Sequence, residues 1–149
     1  MGKKKLYLVF GTANKGKSSL IRCLTGIFRG KSTRVQREDD EIGIEVLVSS
    51  AQEKWISIED LIEIIEKSND DYLLISIRID SITNKHGDVF PEGDEYLKEL
   101  KKRYDIIGAA IFGDIKYDID EKLVARIKEP RKKAPNSDAA FVRKFWGWQ

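Results

Sequence analysis

One cysteine and one histidine are all that the 149 residues hold of the side chains that build disulfides and most zinc sites. With Cys23 alone no internal disulfide can form, and with His86 alone there is no histidine or cysteine–histidine metal cluster. A reducing, cytoplasmic location is the simplest expectation. No apolar run approaches the ~20 residues that span a bilayer, so no membrane association is expected. The lysine-led opening has only five apolar residues, Leu6 to Phe10, where a secretory segment needs ~7–15. Leu6 also stands where an N-myristoylation pattern requires Ser or Thr. Internal repeats and low-complexity tracts are missing as well.

What is there is a soluble, globular composition, 41% hydrophobic and 35% charged, of a length that fits one domain with a real core. Residues 1–149 therefore read as a single domain with a basic, aromatic C-terminal extension from about 128. The net charge of +2 conceals an asymmetry. Residues 1–37 carry ten Lys or Arg and no acid, whereas 38–71 carry twelve acids against Lys54 and Lys67. Positive charge returns after residue 126. Two readings stand: the basic ends meet around a polyanion, or they pair with the acidic middle.

Strand-like and helix-like segments alternate along the chain, the pattern of a layered α/β fold. "LYLVF" (6–10) reads as a strand buried on both faces. From Lys17, apolar residues at Leu20, Cys23, Leu24, Ile27 and Phe28 predict a helix. "IGIEVLVSS" (42–50) predicts a second strand, and "SIEDLIEIIEKS" (57–68) a helix capped by Ser57. "YLLISIRID" (72–80) is a third strand, 81–90 a polar loop, and Pro91 opens a helix through Tyr96, Leu97, Leu100 and Tyr104. "IIGAAIFGD" (106–114) is a fourth strand, 119–127 a short helix, and 138–148 a terminal helix. Four strands joined by long crossovers imply a mostly parallel sheet, with ligands beyond the C-terminal strand ends.

Between the first strand and first helix lies "GTANKGKS", Gly11 to Ser18, which fits G-x-x-x-x-G-K-[ST] at every fixed position. The chemistry explains the pattern. Glycines let the backbone curl so that successive N–H groups face an anion, and the helix N-terminus adds its dipole. On these residues the chain resembles the P-loop (Walker A) nucleoside triphosphate-binding superfamily, over residues 6–28. The resemblance implies a three-layer α/β sandwich with a mostly parallel sheet of about four strands. It also implies that Gly11, Ala13, Asn14, Lys15, Gly16, Lys17, Ser18 and Ser19 bind the nucleotide. Lys17 would neutralise phosphate, Ser18 would hold Mg²⁺, and Ser19 would lie near the α-phosphate.

Such proteins usually carry an Asp at the end of an apolar strand to order the metal shell. Asp80 and Asp114 both end apolar strands here; Asp80 is preferred as the metal-side acid, with Asp114 as a second candidate. "NKHGD" (84–88) and "DIIG" (105–108) fit the guanine and γ-phosphate motifs of P-loop GTPases in neither spacing nor order, so ATP is expected rather than GTP. Arg126, Arg131 and Arg143 are candidates for a basic lid, with Arg131 taken as the catalytic one. Trp146 and Trp148, beside Arg143 and Lys144, either stack on nucleic-acid bases or dock their helix onto the core or a partner.

Two functions follow. One is a Mg²⁺-dependent phosphotransferase or NTPase, and the other a nucleotide-binding switch or interaction module that engages nucleic acid or protein.

Overall fold

The structure is a computed structural model that describes residues 3–12, 16–26, 31–128 and 135–149. Its elements are β1 (Lys5–Gly11), α1 (Lys17–Thr25), β2 (Lys31–Gln36), β3 (Glu41–Leu47), α2 (Ile58–Lys67), β4 (Tyr72–Arg78), β5 (Ile82–Thr83), β6 (Val89–Phe90), α3 (Gly93–Arg103), β7 (Asp105–Phe112), β8 (Val124–Ile127) and α4 (Pro135–Trp146). Six strands form one sheet in the order β2-β3-β4-β1-β7-β8, and β5 pairs with β6 in a separate hairpin. β2 runs antiparallel to β3; the other four pairings of the large sheet are parallel.

All four expected strands are present, in a mostly parallel α/β sheet, but the sheet has six strands rather than four. β2 is one addition, formed by "KSTRVQ", in which Val35 is the buried apolar residue. β8 is the other, and it corrects the helix expected over 119–127. A single 3₁₀ turn, Glu121–Leu123, leads instead into a strand alongside β7.

β1 is central, buried between β4 and β7, which explains its unbroken apolar run. Alternation along the strands divides the core into two layers. Tyr7, Val9, Leu74 and Ala110 face α1 and α4, while Leu6, Leu8, Leu73 and Ile111 face α2 and α3. α1 presents Leu20, Ile21 and Leu24, and α2 presents Leu61 and Ile65. Ser57 caps α2 by accepting from the Asp60 N–H at 3.1 Å, as its sequence predicts. α3 starts with Asp94 and Glu95 and ends with Lys101, Lys102 and Arg103, each set complementing the helix dipole.

The C-terminal tryptophans are docked on the protein's own core. Trp148 is 5% exposed, and Tyr7 packs against Trp146 and Trp148 at 4.8 and 5.0 Å between ring centroids. A bridge from Trp148 to Arg37 and a bond from the Gln149 N–H to the Gln36 carbonyl fasten the tail to β2. Arg37 in turn donates to Asp40 and to the hydroxyls of Tyr7 and Tyr72.

No described helix is long and apolar enough to cross a membrane.

Candidate functional site

Five strands of the large sheet run in one direction, so Gly11, Leu47, Arg78, Phe112 and Ile127 end on a single rim. α1 starts from that rim. Gly16, immediately before it, has φ 94 and ψ 13, a left-handed conformation that glycine adopts without the steric cost borne by other residues. At the far side of the loop, a Cβ on Gly11 would stand 3.0 Å from Cγ of Lys17 and 3.3 Å from the Phe112 ring. The two end glycines of the motif thus have separate tasks: one turns the chain and the other leaves room for the lysine stem.

Lys17 is the first residue of α1, yet its side chain is only 5% exposed. It folds back over the loop, and Nζ donates to the carbonyls of Gly11 at 2.9 Å and Thr12 at 2.8 Å. A buried ammonium requires such partners, because its desolvation is otherwise costly. Glu53 adds a carboxylate oxygen 4.0 Å from Nζ. The first turn of α1 contains no acid and its N-terminus has no side-chain cap, so the positive dipole end is not offset by a carboxylate of the helix itself.

Ser18 turns toward the end of β3, its Oγ donating to the Val48 carbonyl at 3.4 Å. Ser19 lies partly exposed in the same first turn. Ala13, Asn14 and Lys15 of the loop, and Arg131, lie outside the described residues.

Asp80 follows β4, the strand directly beside β1. Arg78 grips it bidentately, Nε to Oδ1 at 2.9 Å and Nη2 to Oδ2 at 2.8 Å. These bonds hold the Asp80 carboxyl below its ordinary range, with a smaller contribution from the charge of Lys17. Asp80 therefore belongs to the electrostatic neighbourhood of the loop, with both oxygens already accepting from Arg78. Asp114 follows β7 on the opposite side of β1; it is exposed and makes no hydrogen bond or ion pair among the described residues. Gly113, with φ 98, turns the chain there, and Arg126 donates to the carbonyls of Gly113 and Ile115.

Sequence reasoning missed Gln52 and Glu53. They lie on a 3₁₀ turn, Gln52–Lys54, after β3. Gln52 is fully buried and ties that turn to the rim: Nε2 donates to the carbonyls of Arg78 at 2.8 Å and Pro91 at 3.1 Å, and Oε1 accepts from the Arg78 N–H at 3.0 Å. This clamp fixes the segment that brings Glu53 to Lys17. The only sequence hint is the change from the apolar "IEVLV" to "SSAQE".

The chain matches no family model, no curated protein and no solved structure in the comparisons made with known proteins. The functional argument therefore rests on the site's own chemistry.

Among the described residues, Lys17 of the basic N-terminal stretch is at this site and several of its other cations stand away from it. Lys5 begins β1 at the opposite rim, and Lys4 donates to the carbonyls of Ser68 and Asp70. Arg34 and Arg37 pair with Glu41 and Asp40 across the β2–β3 turn. The "NKHGD" segment is the tip of the β5–β6 hairpin, where the Asn84 side-chain carbonyl accepts from the N–H groups of His86 and Asp88.

Proposed function

We propose that the chain binds a nucleoside triphosphate, ATP, at the loop between β1 and α1 and catalyses its Mg²⁺-dependent hydrolysis or phosphoryl transfer. The observation that carries this reading is Lys17: a cation at the start of a helix, folded back and buried over a glycine-bounded loop, at the lysine position of G-x-x-x-x-G-K-[ST]. Its two carbonyl partners hold the ammonium in place until a stronger, anionic acceptor arrives. Exchange of those neutral carbonyls for anionic phosphate oxygens favours the bound state, because the attraction of opposite charges is added to the hydrogen bonds.

The residues also fit Mg²⁺. The Ser18 hydroxyl has only a long bond to give up, and the carboxylates of Glu53 and Asp80 lie in the field of Lys17. Ser18 and Asp80 would hold the ion, with Glu53 as an additional acid, and the ion would neutralise charge on the β- and γ-phosphates. The chain's own contribution is positional and electrostatic. Lys17 and the first N–H groups of α1 orient the phosphates, while Glu53 supplies an acceptor for the proton of an attacking water or hydroxyl.

A second reading, binding with slow or no turnover, draws on the Arg78–Asp80 pair, which occupies the preferred acid. In that case the partner-facing surface is α4, where Phe141 and Phe145 are 47% and 40% exposed beside Lys144.

The test is to measure ATP and GTP binding and turnover, with and without Mg²⁺, in the natural chain and in Lys17→Ala. Saturable ATP binding that Lys17→Ala weakens by about a hundredfold or more is expected, on the order of 3 kcal/mol for one or two lost ionic hydrogen bonds. Undetectable affinity in the natural chain, or no effect of the substitution, refutes the proposal. Binding without turnover selects the second reading.

A further inference from the structure

A cavity of about 560 Å³ opens where β3 ends and the chain crosses toward α2, within the size range of small-molecule sites. Its apolar wall includes Leu47, Leu61 and Ile75, and its cations are Arg22 and Lys54. Among the described residues no acid lines it. The Lys54 ammonium makes no ion pair among the described residues, although its backbone N–H is bonded within the turn. Arg22 is four residues beyond Ser18, on the same face of α1.

The deciding residue is Ser76. It interrupts the apolar strand β4, is 0% exposed, lines this cavity, and its hydroxyl has no hydrogen-bond partner among the described residues. Buried hydroxyls in native proteins are nearly always satisfied, so an orphan at a cavity wall points to a ligand or ordered water. Ser50, 1% exposed and equally unpartnered, lies beside the same segment. Apolar walls, two cations and an unsatisfied hydroxyl together specify an amphipathic guest.

We infer that this cavity binds a small carboxylate with an apolar body, its carboxylate directed to Lys54 and Arg22 and a polar atom to the Ser76 hydroxyl. The site adjoins the nucleotide loop through Val48, which lines the cavity and accepts the Ser18 bond. It goes beyond the nucleotide reading and does not depend on it.

The experiment titrates the full-length ¹⁵N-labelled chain, without nucleotide, with phenylacetate and hexanoate and with the corresponding neutral amides. Saturable shifts are expected at the backbone amides of Ser49, Leu61 and Ser76 with the carboxylates, and at least tenfold weaker binding of the amides, the value of one ionic contact. Lys54→Ala and Arg22→Ala, both at exposed positions, are each expected to weaken the carboxylates by about tenfold. Ser76→Val, which keeps the strand's shape, is expected to weaken them further. No saturable shift at those amides, equal affinity of acid and amide, or indifference to both cation substitutions overturns the proposal. Lys17→Ala serves as the separating control. It should weaken ATP binding and leave carboxylate binding intact: undetectable ATP binding in the natural chain refutes only the nucleotide reading, and undetectable carboxylate binding in the natural chain refutes only this one.

Discussion

Replacing Gln52 by Leu removes three buried hydrogen bonds while nearly preserving side-chain volume, which makes it a sharp test of how the rim is held. The amide is 0% exposed, and its bonds to Arg78 N–H, Arg78 carbonyl and Pro91 carbonyl span 2.8 to 3.1 Å. Leucine fills the space but leaves those backbone groups without the side-chain partner. Each buried polar group left unsatisfied costs ~1–3 kcal/mol. Three of them, allowing for partial relaxation and non-additivity, give a loss of about 3 kcal/mol. At a urea dependence of ~1.5–2 kcal/mol per molar, the unfolding midpoint falls by roughly 1.5–2 M with no change of slope. The assay is equilibrium urea unfolding of the natural chain, Gln52→Leu and Gln52→Ala. Alanine adds a cavity to the same loss of bonds and is expected to be worse than leucine. A Gln52→Leu loss below about 0.5 kcal/mol, in the range of ordinary surface substitutions, would refute the clamp. ATP affinity measured on the same variant should fall as well, because Glu53 is the next residue along the chain.

The Arg78–Asp80 pair predicts a small acid-side effect. Because the folded-state pKa of Asp80 lies below its ordinary 3.8, its stabilisation is present above that value and is lost as pH falls through the depressed folded pKa. Asp80 is 50% exposed, so screening limits the contribution to less than about 1 kcal/mol. Asp80→Asn should lower stability at neutral pH by that amount and flatten this part of the acid limb of a stability–pH curve; an unchanged acid limb would count against the pair. Gly108→Ala tests the other face of the sheet. Its Cβ would stand 2.7 Å from Cδ1 of Tyr7 and 2.9 Å from Nε1 of Trp146, and such overpacking costs ~1–3 kcal/mol. Urea unfolding followed by tryptophan fluorescence should record that loss together with a red-shifted folded spectrum; natural stability and an unshifted spectrum would contradict the packing of the C-terminal helix.

What could be read from the sequence was decided by how local each signal is. β1 and α1 are close along the chain, so an apolar run and apolar residues at helical spacing were enough to find them. β2 escaped because an edge strand buries few side chains: Val35 is its buried apolar residue, and Arg34 pairs across the hairpin with Glu41. β8 was misread for a different reason. Val124 and Ile127 are spaced by three, which fits one face of a helix, and a four-residue run gives periodicity too little length to separate helix from strand. Its position beside β7 decides the matter, and that position depends on tertiary packing.

The same distinction governs the site. The residues proposed to cradle an anion follow one another along the chain, and the roles proposed for them come from backbone shape and helix geometry, which short motifs encode well. The residues that would complete the chemistry meet only after the strands are ordered. Glu53 reaches Lys17 through a crossover and a buried glutamine, neither of which leaves a pattern in sequence. Asp80, by contrast, had the expected strand-end position, yet two residues earlier stands the Arg78 that engages both its oxygens. A strand-end acid is therefore a necessary clue and an insufficient one, since its availability depends on the nearest competing cation. For this rim the competition can be resolved directly: Arg78→Gln frees Asp80 without touching the loop. If Asp80 is the metal-side acid, Mg²⁺-dependent ATP affinity should rise several-fold in that variant; if Glu53 fills the role, it should not, and Glu53→Gln should abolish the Mg²⁺ dependence instead.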